Sequence, residues 1–260
     1  MTQEQTKPPR PTDVYFFATC VVDQFFPGAG MDAITLLEQQ GIRVHFPEEQ
    51  TCCGQPAYTS GFPDEARKVA ANQLTLFPND WPVVVPSGSC AGMMKHHYPT
   101  LFAADPMRRA QAEKLSARIY ELTDFLVNQL NWQPEDTGSD CTIVLHTSCS
   151  ARREMGVHLT GRKLLGGLNK VTVAQQDHES ECCGFGGTFS IKQPEISGAM
   201  VEDKVKSLKA TGAERVVSAD CGCLMNILGH AAWKDAQEGR AQASLPGEHI
   251  ASFLLRRTAK

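Results

Sequence analysis

At 260 residues the chain can hold one large or two modest domains with real cores. A hydrophobic fraction of 42% with 21% charged residues is ordinary for a globular protein, and a net charge of −4 gives no electrostatic reason to expect nucleic acid or an anionic membrane as partner. No run approaches the roughly 20 apolar residues that a membrane span needs.

The opening, MTQEQTKPPRPTD, is polar and Pro-rich and lacks the pattern of a secretory leader, so residues 1–13 are expected to be a loose tail and the protein cytoplasmic. In that compartment ten cysteines do not simply count as five disulfides.

In chain order, VYFFAT (Val14 to Thr19), RVHF (Arg43 to Phe46) and PVVVPS (Pro82 to Ser87) are short β-rich runs separated by stretches long enough for helices. Met107 to Leu130 is expected to form one long helix, with Leu115, Ile119, Leu122, Leu126 and Leu130 at helical spacing. NWQPEDTGSD, residues 131–140, reads as a linker. Beyond it the plan restarts with TIVLHT (Thr142 to Thr147), KVTVA (Lys170 to Ala174) and RVVSA (Arg215 to Ala219). The expected architecture is α/β, with two pseudo-symmetric Rossmann-like lobes, 14–130 and 141–260, carrying mainly parallel sheets.

The restart has a register. Cys20 matches Cys149 at an offset of 129, Cys52 and Cys53 match Cys182 and Cys183 at 130, and Cys90 matches Cys223 at 133. ELTDFLVNQL, from Glu121, matches HIASFLLRR, from His249, at 128. Four anchors with so little drift point to an internal duplication.

In each half cysteines follow expected strands, and in a parallel sheet the carboxyl ends of the strands share the edge where ligands bind. Adjacent thiolates such as Cys52–Cys53 and Cys182–Cys183 suit one tetrahedral ion poorly, because zinc sites usually separate paired ligands by two or more residues. A cluster of several irons offers ligand sites further apart. Gly54, Gly184, Gly186 and Gly187 then permit close approach and free amides that donate to sulfur. The expectation is a thiolate-held iron-sulfur cluster in each half. Cys141, without a repeat partner, is expected to be structural. A vicinal disulfide is the strained alternative for the pairs.

GFGG lacks a phosphate-loop pattern and is assigned to packing beside the cysteines. His45, His96, His97 and His146 are read as surface or strand-end histidines. Arg152 and Arg153 are read as a solvated helix face, with an anionic substrate or partner as the rival reading.

CCGQPAYTSG, SGSC, HTSC, CCGFGGTFSIKQPEISG and ADCGCLMN together resemble the lactate-utilisation protein A family, within the wider group of duplicated CCG cysteine-rich domains that includes the cysteine-rich chain of heterodisulfide reductase. The resemblance runs from about Val14 to Arg256. It implies an iron-sulfur subunit of a three-protein L-lactate oxidation system, working with a ferredoxin-like iron-sulfur protein and a third subunit and delivering electrons from L-lactate, or a related 2-hydroxy acid, toward the respiratory chain. Carried over residue by residue, it implies metal ligands at Cys20, Cys52, Cys53 and Cys90, and at Cys149, Cys182, Cys183, Cys221 and Cys223. One or two clusters, cubane 4Fe-4S or non-cubane, are implied. The chain departs from the reductase pattern at Met93, where a last cysteine would stand, and at Cys221, which falls in register with Gly88. A thiol-disulfide reductase subunit and a zinc-bearing docking scaffold remain as alternatives.

Overall fold

Among the described residues eight strands form two sheets, and every pairing in both is parallel. A computed structural model describes residues 10–259; residues 1–9 of the expected tail lie outside that range. In the first sheet β1 (Asp13–Phe16), β2 (Arg43–His45), β3 (Val83–Val85) and β4 (Ile119–Glu121) are ordered β2-β1-β3-β4. In the second, β5 (Cys141–His146), β6 (Val171–Ala174), β7 (Arg215–Ser218) and β8 (Gly247–His249) repeat that order as β6-β5-β7-β8. Parallel neighbours need crossovers, which is why helices lie between successive strands.

The six strands expected from the sequence are present, and each sheet gains a fourth. The expected helix from Met107 to Leu130 is two helices with β4 between them: α7 (Pro106–Ser116) stops, Ile119–Glu121 pairs with Val83–Val85, and α8 (Leu122–Asp124) continues through a wider turn, Phe125–Gln129. Its apolar spacing is helical, but the open edge of β3 takes the three residues, and Ile119 and Tyr120 suit a strand. The same happens before the last helix, where β8 precedes α13 (Ile250–Thr258).

Alternation along the strands sets the layers. Val14 and Phe16, like Ile143 and Leu145, face one core shared by both halves. Most of its other members come from α2 (Pro27–Gln39) and the segment beginning at α8, and from α9 (Val157–Gly166) and α13. Tyr15 and Phe17 face a separate core with α4 (Pro63–Gln73) and α7, while Val144 faces its own with α11 (Pro194–Ala210) and α12 (Cys221–Gln237). Among the described residues no helix is long and apolar enough to cross a membrane.

Candidate metal centre

Both sheets turn their carboxyl edges to the same cavity, of about 200 Å³, and all nine cysteines other than Cys141 line it. The strand order places the crevice between the loops after β1 and β3, and between those after β5 and β7, which is where open parallel sheets bind ligands.

Cys20 opens α1 (Cys20–Phe25) directly after β1, and Cys90 lies in α5 (Gly88–Gly92) after β3. Cys52 and Cys53 occupy the loop before α3 (Gln55–Thr59). In the first half the thiols touch in the order Cys20, Cys52, Cys53, Cys90. The second half has the same chain of contacts, Cys149, Cys182, Cys183, Cys223, with the Cys183 and Cys223 sulfurs 3.1 Å apart. Two quartets of identical connectivity thus face one cavity. All ten cysteines carry free thiols.

The glycines give the pairs their shape. Gly54 and Gly184 are left-handed, at φ 85° and 82°, and their N–H groups donate to Cys52 Sγ and Cys182 Sγ at 3.4 Å each. A β-carbon at Gly54 would stand 3.2 Å from the Ala66 carbonyl oxygen, and one at Gly184 2.7 Å from that of Ser197. Gly186 and Gly187 are also left-handed, and Gly187 brings its loop against Pro56 of the opposite half. The Ser60 and Thr188 hydroxyls meet there too, so GFGG packs the two cysteine loops against each other.

The Cys52 thiol is held well below the usual thiol range, first by the Cys20 thiol beside it, then by Cys53 and the Gly54 amide. Its neighbour Cys20 is pushed up by the same contact and by burial. In the second half Cys149 is pushed up by the adjacent Cys182 sulfur and by burial. Each quartet is thus a compact, partly desolvated set of soft donors around a cavity wall. Four thiolates are the ordinary ligand set of an iron-sulfur cluster, so the residues present fit one.

Cys221 stands apart from its own quartet. It packs on Val22 and Ala29 of the first half, and its thiol is pushed up by burial, then by Asp220 and Cys90. In register, Gly88 has no side chain because a β-carbon would come within 2.3 Å of Ala151. Cys141 is remote from the cavity, at the start of β5, where its sulfur receives a 3.7 Å contact from Arg257.

Two functional-looking residues carry little signal in the sequence. His146 is a strand-end histidine, the last residue of β5, but not a surface one: it is completely buried, with both ring nitrogens unpartnered, and lies beside Cys183 and Cys223. Burial, and then the charge of Lys204, push its pKa down to about 3, so the ring is neutral. Asp220 is the second. Its buried carboxylate accepts from Ser87 Oγ at 2.9 Å, Ser89 N at 3.1 Å and Ser89 Oγ at 2.8 Å in the first half, and from Ser148 Oγ at 2.8 Å in its own. Its place before CGC, in register with Ser87, was the available signal. Of the other histidines, His45 bonds Asp13 and stacks on Trp81, while His96 and His97 meet Glu154. Arg152 is no free solvated face, since Glu179 pairs with both Arg152 and Arg162; Arg153 is exposed.

Fold and site together define a class: a duplicated parallel α/β protein with a thiol quartet at the carboxyl edge of each sheet. The model of the CCG cysteine-rich domain matches residues 14–95 and 143–228. The chain is 44% identical to Lactate utilization protein A of Bacillus subtilis over 93% of its own length and 98% of the relative's, and 45% identical to that of Shouchella clausii over 84% and 90%. It belongs to the CCG cysteine-rich domain family, on the lactate utilization protein A branch. A crystal structure of a hypothetical protein from Helicobacter pylori shares the fold, with a TM-score of 0.68 at 11% identity over 99% of this chain; the chain spans 52% of that structure.

Proposed function

We propose that this protein is the cytoplasmic iron-sulfur subunit of a multi-protein system that oxidises L-lactate to pyruvate, with residues 14–130 and 141–260 as its two units and 131–140 as their linker. The observation that carries the reading is the pair of matched thiol quartets on one cavity. The names of the relatives supply the metabolic setting.

In this reading Cys20, Cys52, Cys53 and Cys90 hold one cluster, and Cys149, Cys182, Cys183 and Cys223 hold the other. When bound, such clusters supply one-electron storage and transfer. The protein's own groups position and shield them. Gly54 and Gly184 amides donate to the sulfurs, Asp220 ties the first half's Ser87 and Ser89 to the second half, and the GFGG loop lines the cavity and packs on Pro56.

The electrostatics favour electron transfer over substrate binding at this cavity. Among the described residues its lining contains no lysine, arginine or histidine, and its acidic groups are the cysteine thiols and Asp220. A 2-hydroxy acid brings a carboxylate of its own, which such a wall repels. Its two-electron oxidation calls for a flavin or nicotinamide, which the proposal assigns to a partner protein, alongside a ferredoxin-like iron-sulfur partner. The test is reduction by L-lactate, followed optically under anaerobic conditions. The cluster-loaded chain alone is expected to stay oxidised and to become reduced once its partner proteins are added; lactate oxidation by the isolated chain would overturn this division of labour.

A zinc-bearing docking scaffold is the second reading, favoured by the compact grouping of His146, Cys183 and Cys223. Zinc without sulfide in the purified protein would select it.

A further inference from the structure

The halves repeat their thiols but not the groups around them. Three residues before the first cysteine stands Phe17 in one half and His146 in the other, both completely buried. The equivalent approaches of Ala66 to Gly54 and Ser197 to Gly184 set the register of α4 against α11. In that register Gln73 pairs with Lys204. Gln73 donates to the Thr51 hydroxyl, whereas Lys204, 2% exposed, donates from its ammonium to the His178 carbonyl at 2.7 Å. An imidazole and a cation therefore accompany the second quartet alone.

His146 lacks a hydrogen-bond partner at either nitrogen. A buried polar group left unsatisfied is destabilising, and apolar Phe17 shows that this position of the fold accepts a side chain without that cost. What the imidazole has nearby is sulfur. One ligand atom from each of His146, Cys183 and Cys223 lies within 4.8 Å of the others. Neutral imidazole and thiolate are both good donors to iron and zinc.

We infer that His146 is a ligand of the second half's metal site, making it a mixed imidazole-thiolate centre where the first half's is thiolate only. The inference rests on the reading that the quartets hold metal. Its consequence is a direction. The imidazole leaves the charge of the four thiolates unchanged, while the Lys204 ammonium beside Cys182, Cys183 and Cys223 adds a positive one that the first half lacks, so the reduced, more negative state is favoured in the second half and electrons move from the first site to the second.

The test uses the full chain with its clusters reconstituted and its histidines labelled with ¹⁵N. Pulsed electron paramagnetic resonance of the reduced protein should show coupling to a bound nitrogen, lost in H146F while the first site's signal persists. A redox titration should resolve two waves, with K204Q lowering only the upper one and H146F shifting that one alone. Absence of nitrogen coupling in the wild type, or an upper wave unmoved by H146F, overturns the inference. If the wild type carries no iron and sulfide, the iron-sulfur reading is what fails, and His146 is read with Co²⁺ added to the metal-free chain. The cobalt absorption bands should then shift in H146F, and unchanged bands would overturn the ligand assignment.

Discussion

Glu121 is completely buried at the junction of β4 and α8, where its carboxylate accepts from the Thr123 and Asp124 amides while one oxygen stays unpartnered. Burial pushes its pKa from 4.5 up to about 8, against the lowering effect of those hydrogen bonds. A raised carboxyl pKa means that the folded state binds the extra proton, so this group's contribution to folding stability is full below about 4.5 and is lost as pH rises toward about 8. Glu121→Gln should flatten that part of the curve in urea unfolding; an unchanged pH profile would show that the side chain is not held protonated. Asp220 matters through the hydrogen bonds it accepts from both halves. Asp220→Ala strands Ser87, Ser89 and Ser148 at the centre of the molecule and should cost on the order of 3 kcal/mol, again read by urea unfolding. Residue type made the cysteines legible in the sequence, because thiols in repeat register are rare and specific. His146 was not legible, because a lone histidine in a strand carries no signal until the fold buries it beside two sulfurs.

Among the elements, the six strands rich in Val, Ile and aromatic residues were visible as short runs, while β4 and β8 were not. Ile119–Glu121 shares its apolar spacing with the helices on both sides, and Gly247–His249 has no apolar run at all. Both are edge strands defined by the neighbour they join, which is tertiary information. The matching of ELTDFLVNQL with HIASFLLRR nevertheless marked the two places, since each is a strand end turning into a helix. The glycine after each cysteine pair offers a test of the element-level account. Gly54 and Gly184 share a left-handed backbone, but helix α11 comes closer to Gly184 than α4 does to Gly54. Gly184→Ala should therefore lower the melting temperature more than Gly54→Ala, with each costing at least about 1 kcal/mol. Equal losses would remove the role given to the close helix.

On the scale of the whole molecule, the duplication yields one body around a common core. Helix α2 of the first half packs against α13 of the second, and the equivalent pair, α9 of the second half and α8 of the first, packs in the same way. Burial of one contiguous apolar cluster by both halves predicts a single cooperative unfolding transition; two resolved transitions in urea would show the halves to be independent. The convergence of nine cysteines on one cavity was only half legible. Repeat register placed each quartet at its own sheet edge, but the shared opening depends on how the two sheets face each other, which no local pattern encodes. The most direct test of the central claim is iron and acid-labile sulfide content of the anaerobically purified chain, with Cys53→Ser, Cys183→Ser and Cys141→Ser beside the wild type. Two four-thiolate sites predict about eight irons with matching sulfide, loss of about half from either Cys53→Ser or Cys183→Ser, and no loss from Cys141→Ser. Complete loss of iron from one of the first two variants, or zinc without sulfide in the wild type, would contradict the account.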